Sequence, residues 1–342
     1  MGPQPVHPFR RLLLPLLAAA LVLAAAVCGG GDGDSVTVYS GRSRELVGPI
    51  LDRFAEQSGI EVRVKYASSA ELAATLREEG GRSPADLFIA QDAGALGAVE
   101  AAGLFATLDG DILDRVPSAF RSAAGRWVGL SGRARTVVYN TDRVDRSELP
   151  DSILGFTDPK WKGRIGWAPS NGSFQAFVTA LRLSLGEDAA RDWLEGIQAN
   201  DAIEYPKNTP IVAAVGAGEI DVGFVNHYYL HRFLAEEGEG FGARNYYTAP
   251  GDVGTLINVA GAGILESSDH KDNAAALLRF LLGVEAQRYF TEETYEYPLV
   301  EGVEANADLR SIAQLQPLEL DLGRLEDLEG TLELLRETGV LP

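Results

Sequence analysis

"RWVGLSGRARTVVYNTDRV", Arg126–Val144, is the stretch on which the fold turns. It is long, rich in β-formers, and has no helix within it. On its N-terminal side the chain alternates strand and helix. "SVTVYS" (Ser35–Ser40) reads as a strand. "RELVGPILDRFAEQSG" then puts Leu46, Ile50, Leu51 and Phe54 on one helical face and stops at Gly59. "IEVRVKYA" is a second strand, and "SAELAATLREEGG" a second helix with Ser69 as its expected N-cap. "ADLFIA" and "DAGALGAVEAAGL" repeat the pattern. Such alternation specifies a parallel sheet with helices on both faces. On the C-terminal side come a strand in "WKGRIGWAP", helices around Phe174–Leu185 and Ala189–Asn200, and strands "IDVGFV" and "TLINVAGAGIL". A helical run, "SSDHKDNAAALLRFLLGVEAQRYFTEE", follows. One long β-segment in mid-chain, with another returning near residue 255, predicts two α/β domains joined by crossing strands. A cleft between such domains is a natural ligand site.

The composition, 46% hydrophobic and 23% charged over 342 residues, is that of a folded soluble chain with room for two domains. The net charge of −19 repels phosphate backbones and argues against a nucleic-acid binder. The N-terminus, "FRRLLLPLLAAALVLAAAVCGGGDGDS", has a basic pair, a short apolar run and a small-residue stretch. That is the pattern of a secretory signal peptide over residues 1–27. The apolar run is short for a membrane-spanning helix. Cys28, the only cysteine, stands where it ends, so no internal disulfide can form. Its position resembles a bacterial lipobox, with Val27 where that pattern has a small residue. The expectation is an exported protein, lipidated at Cys28 and held to the outer face of the cytoplasmic membrane, or else periplasmic with Cys28 merely part of a signal peptide cut nearby; residues 28–35 form a flexible tether and there is no other membrane contact.

"EIDVGFVNHYYLHRF", Glu219–Phe233, places two tyrosines where a strand ends. Neighbours on a strand point to opposite faces, and neighbours on a helix diverge by about 100°. Only a strand-to-helix turn aims Tyr228 and Tyr229 at one point. Asn226 suggests such a turn, because Asn tolerates the backbone angles and can cap. The carboxyl ends of strands are also where open α/β sheets bind ligands. A hard, highly charged cation displaces a phenol's proton, and phenolate suits ferric iron. A tyrosine pair alone more often supplies one core ring and one surface ring.

The pair is not alone. "VTVYSGRSRELVGPILDRFAEQSGIEV", "SPADLFIAQDAGALGAVEAAGLF", "GRWVGLSGRARTVVYNTDRV", "NTPIVAAVGAGEIDVGFVNHYYL" and "FLLGVEAQRYFTEETYEYPLVEGV" together resemble the ferric-iron-binding branch of class II periplasmic binding proteins, the substrate receptors of iron ABC importers. The resemblance implies a two-lobed α/β fold, each lobe a central sheet flanked by helices, joined by crossing hinge strands. The lobes would comprise residues 36–133 with 258–305, and 134–257 with 306–342. It implies Tyr228 and Tyr229 as Fe(III) ligands and a synergistic phosphate or carbonate. Ser170, Gly172 and Ser173 of "PSNGS" match the anion loop, and Asn208 and Asn226 the remaining anion contacts. A helix N-terminus with free N–H groups and hydroxyls suits an anion. The partner implied is an ABC permease, with the receptor a monomer.

Three positions depart from the family. Ser43 stands where many members have a histidine ligand. Gln91 and Asp92 stand where some have a glutamate, and Asp92 supplies a carboxylate if that loop is displaced by one residue. Ser173 stands where others have a third tyrosine. Arg133 and Arg135 are candidates to offset two phenolates and an anion, or they form a solvated face. His227 and His231 read as structural or surface residues. The departures keep open the same fold binding a phosphonate or a polyamine. An exported enzyme or adhesin is the reading from another class. However, no H-E-x-x-H, G-x-S-x-G, Walker loop or strand-borne G-x-G-x-x-G occurs, so no nucleophile, base or cofactor is named.

Overall fold

Strand β4 (Val128–Asn140) is buried along its whole length, and two sheets share it. In the computed structural model, which describes residues 1, 2 and 34–342, its first half pairs antiparallel with β9 (Ile257–Ile264), from Val128 opposite Ala262 to Ala134 opposite Ile257. Its second half pairs antiparallel with β7 (Val222–Asn226), from Arg135 opposite Asn226 to Tyr139 opposite Val222. The change of partner falls between Ala134 and Arg135. The signal peptide, Cys28 and most of the tether lie outside the described residues.

The first sheet adds β1 (Ser35–Ser40), β2 (Glu61–Tyr66) and β3 (Leu87–Ala90), all mutually parallel, in the order β2-β1-β3-β9-β4. The second runs β4-β7-β5-β6, with β5 (Ile165–Trp167) and β6 (Ile203–Glu204) parallel to β7. Two short strands, β8 (Ala243–Tyr246) and β10 (Tyr297–Pro298), complete the flanks of β4. Parallel neighbours need crossovers, and helices supply them. In the first half these are α1 (Arg44–Ser58), α2 (Ser69–Glu79), α3 (Ala93–Ala101) and the single turn α4 (Gly110–Leu113). In the second they are α5 (Gly172–Leu185), α6 (Glu187–Ala199), α7 (Asn208–Gly216) and α8 (Tyr228–Glu237). No helix among the described residues is long and apolar enough to cross a membrane.

Two local readings are corrected. Helix α2 is capped by Ser68, whose hydroxyl accepts from the Glu71 N–H at 3.2 Å. Ser69 is already helical, and its hydroxyl instead accepts from the Gln91 N–H at 2.8 Å. Two adjacent serines offer the same capping chemistry, and the tertiary position of Gln91 decides between them. The late helical run is two helices, α9 (Lys271–Leu281) and α10 (Val284–Glu292), broken at Gly283. That glycine has extended backbone angles and serves as the N-cap position of α10.

The chain closes with the turn α11 (Ile312–Leu315), a 3₁₀ turn at Leu322–Glu326, and α12 (Leu328–Glu337). The 3₁₀ turn lies against α3, and α12 lies against α5, where the Thr179 and Thr331 hydroxyls meet at 2.7 Å. Gly97 permits the first contact, since a Cβ there would come 2.7 Å from the Glu326 Cβ. In an open helix, Gly→Ala gains up to about 1 kcal/mol. At position 97 the overlap should reverse that sign. Gly97→Ala is expected to destabilise by about 1–3 kcal/mol, read as a lowered thermal midpoint.

Candidate functional site

Strand β7 ends at Asn226 and α8 begins at Tyr228, with His227 between them already in helical angles (φ −56°, ψ −40°). The turn brings both phenol rings to one side. They stack with centroids 4.2 Å apart and 28° between planes. Tyr228 is fully buried, and its hydroxyl has no hydrogen-bond partner. Tyr229 faces a cavity of about 970 Å³. Burial, then the neighbouring Tyr228, hold the Tyr229 phenol well above its ordinary pKa. A buried hydroxyl without a partner costs about 1–3 kcal/mol, so such a group calls for a ligand or another explanation.

The expected capping role of Asn226 is corrected. Its side chain does not cap α8. Instead its Oδ1 accepts from Arg135 Nη1 at 3.2 Å, and its Nδ2 donates to Ser173 Oγ at 3.2 Å. Its N–H donates to Asn208 Oδ1 at 3.1 Å. Ser173 Oγ is a hub that also accepts from Gln91 Nε2 at 3.2 Å and Arg133 Nη1 at 3.5 Å. These bonds tie the ends of β3 and β7 to the starts of α5 and α7. Helix α5 is capped by Asn171, whose Oδ1 accepts from the Ser173 N–H at 3.1 Å. Thus Tyr228, Ser173, Asn208, Asn226, Arg133 and Arg135 form a buried layer. Ser43, Gln91, Asp92, Ser170, Gly172 and Tyr229 line the cavity in front of it.

Asp92 lies across from the anion-loop candidate, with its Oδ2 3.5 Å from where a Gly172 Cβ would stand. Its other oxygen caps α3, accepting from the Ala95 N–H at 2.9 Å. Burial, more than any other influence, raises its pKa. Ser43 holds the N-cap position of α1 without a side-chain cap bond. Among the described residues no group of three or more His, Cys, Asp or Glu could hold a metal ion.

Arg133 and Arg135 are buried, not a solvated face. Burial, then repulsion from Arg133, pushes the Arg135 pKa down to about 9. Burial, then repulsion from Arg42, lowers that of Arg133, and its Nε and Nη2 have no partner. Sequence reasoning missed Arg42 and Glu296. Burial works against the Arg42 charge, but the paired Glu296 carboxylate outweighs it and holds its pKa above the ordinary arginine value. A basic residue just after the carboxyl end of a strand, in "SGRSR", was a signal for Arg42. Glu296 had none, because its partner is 254 residues away.

His227 is fully buried with both ring nitrogens engaged by backbone. Nδ1 accepts from the Ala134 N–H at 3.1 Å, and Nε2 lies 2.8 Å from the Tyr295 carbonyl, to which it donates. That tautomer leaves no lone pair for a metal. Burial, then His231, pushes its pKa down to about 3. The unfolded chain would protonate this histidine below about pH 6.5, and the folded one would not. Its contribution to stability is thus lost as pH falls from 6.5 toward 3, by about 2 kcal/mol between pH 6.5 and 5. His227→Gln should be less stable at pH 7 but lose less on acidification, as read by urea unfolding at the two pH values.

A cleft between two α/β lobes, walled by buried polar groups, defines a solute-binding protein. Residues 82–321 match the family of bacterial extracellular solute-binding proteins, and the chain belongs to that family. It is 36% identical to the major ferric iron-binding protein of Neisseria meningitidis, over 95% of this chain and 97% of that protein. It is 33% identical to the Fe(3+)-binding periplasmic protein of Serratia marcescens, over 95% and 96%. Among solved structures, iron-bound HitA from Pseudomonas aeruginosa superposes with a TM-score of 0.86 at 33% identity, covering 89% of this chain and 99% of that one. The apo ferric ion-binding protein A of Pasteurella haemolytica gives a TM-score of 0.81 at 27% identity, over 89% and 98%. The fold is the two-lobed one of these proteins.

Proposed function

We propose that this chain captures Fe(III) between its lobes, together with a synergistic phosphate or carbonate, and delivers it to the permease of an ABC importer. The carrying observation is the stacked tyrosine pair at the start of α8, with the Tyr228 hydroxyl buried and unpartnered. Two phenolates are hard anionic donors suited to Fe(III). The names of the relatives, given for ferric iron, support the same reading. The anion would lie near Ser170, Gly172 and Ser173, opposite Asp92, with Asn208, Asn226, Arg133 and Arg135 holding that wall in place. Asp92, which lines the same cavity as Tyr229, is the carboxylate proposed to join the sphere, and Gln91 is already committed to Ser173.

The lobes are proposed as residues 36–133 with 258–305, and 134–257 with 306–342, hinged where β4 changes partner. Closure around cargo would follow the hinge mode of two-lobed receptors. The chain would work as an exported monomer held to the outer face of the membrane by lipid at Cys28. Three buried guanidiniums around the cleft disfavour a polyamine as cargo. No catalytic role is assigned to any of these residues.

Visible absorption during titration of the apoprotein with ferric citrate, with and without phosphate or carbonate, tests the reading. A saturable tyrosinate-to-iron band at one iron per chain is expected, strengthened by the anion. Absence of a band under every anion would sink the iron reading and leave an organic anion such as a phosphonate as the cargo to screen.

A further inference from the structure

Arg42 follows β1 and belongs to the first sheet's half of the molecule, whereas the tyrosine pair is carried by α8 of the second. Its loop is pinned: the Arg42 N–H donates to Ser40 Oγ at 3.2 Å, and that hydroxyl donates back to the Arg42 carbonyl at 2.9 Å. One arm of the guanidinium is bound by Glu296, whose other oxygen accepts from Ser131 Oγ on β4. All of these partners are buried and lie in the first half. Nη1 of Arg42 is buried and has no partner. Arg42 and Tyr229 line the same cavity. A cation held by partners of the first half, with a spare donor, thus lines the cavity that Tyr229 of the second half also lines.

From this juxtaposition we infer that Arg42, oriented by Glu296 and Ser131, is the outer-sphere counter-charge through which the first lobe closes on iron-loaded Tyr228 and Tyr229. The inference rests on the Fe(III) reading of the same site. A neutral phenol oxygen offers a guanidinium only an uncharged acceptor. An iron-bound tyrosinate is an anionic oxygen, and a charge-assisted contact to it is both shorter and stronger. Loading would therefore change the affinity between the lobes, and the ligand's differential interaction with the closed form drives closure. Arg133 and Arg135 cannot serve this way. They lie on the shared strand β4, on either side of the partner switch, and their positions do not report on lobe separation. Arg42 is a positioning residue here, not an iron ligand.

The test uses the mature chain carrying Arg42→Gln with Glu296→Gln, which removes both charges and keeps two hydrogen-bonding side chains. Thermal melting verifies that it folds. Iron release to excess EDTA is followed at the charge-transfer band, and the radius of gyration is measured by X-ray scattering with and without ferric citrate. The expected result is a retained band at one iron per chain, release faster by about 30-fold, and loss of the compaction on loading. Arg42→Lys, which keeps the charge without the fork, should fall between the double variant and wild type. If wild type shows the band and the double variant matches its release rate and its compaction, the inference is overturned while the iron reading stands. If wild type shows no band, both fall. Should the double variant fail to fold, Ser131→Ala, which frees one Glu296 oxygen, is expected to speed release by about 3-fold. No acceleration in Ser131→Ala would then overturn the inference.

Discussion

Replacing both Tyr228 and Tyr229 by phenylalanine is expected to abolish the visible band and to weaken ferric binding by at least about 1,000-fold, since first-sphere ligands matter more than the outer partners whose loss costs about 10–100-fold. The same change should not harm the fold. The Tyr228 hydroxyl is buried without a partner, so its removal deletes a desolvated polar group. The stacked rings, 4.2 Å apart, remain intact as phenylalanines. Urea unfolding of the apoprotein should show equal or greater stability, by up to about 1 kcal/mol. Opposite signs for stability and binding would mark the pair as kept for its ligand at a cost to the empty protein. Equal loss of both would show that the tyrosines are core residues only.

Loading should also release protons, and its affinity should climb steeply with pH. Phenols hold their protons at neutral pH, and burial makes the Tyr229 proton harder still to remove. Each tyrosine that becomes a phenolate ligand must give up one proton on binding. With two such ligands, apparent affinity falls by up to about 100-fold for each unit of acidification. The sign is fixed: binding is tight above the working pH and lost below it, because the bound form carries fewer protons than the empty one. Lightly buffered titration with a ferric chelate of known protonation should report about two protons per iron from the protein. The double phenylalanine variant should report none. A value near zero in wild type would mean that neutral phenols, or other groups, hold the cargo.

Much of the architecture was legible in the chain. The β-formers of Arg126–Val144 run unbroken past the length of one ordinary strand, and the structure has a 13-residue strand there shared by two sheets. The alternation before it became parallel strands with helical crossovers, because parallel neighbours cannot be joined by a tight turn. Adjacent tyrosines after "VGFVN" sit at a strand-to-helix turn, and local chemistry sufficed to expect that.

Other readings failed for one physical reason, which is that local capping chemistry does not know its tertiary neighbours. Ser68 and Ser69 are equivalent as caps until Gln91 arrives from β3 and takes one of them. Asn226 has the side chain of a cap, but Ser173 and Arg135 claim it first. Arg133 and Arg135 alternate with small residues on an apparent surface strand, and only the shared position of β4 buries them.

The sequence by itself determined the class of fold, the crossing strand and the tyrosine turn, since each depends on periodicity and on chemistry within a few residues. Tertiary structure alone decided which polar groups are taken from water and which partners they find there. The pairing of Arg42 with Glu296 spans 254 residues and depends on burial, and desolvation is a property of the packed whole that no local stretch encodes.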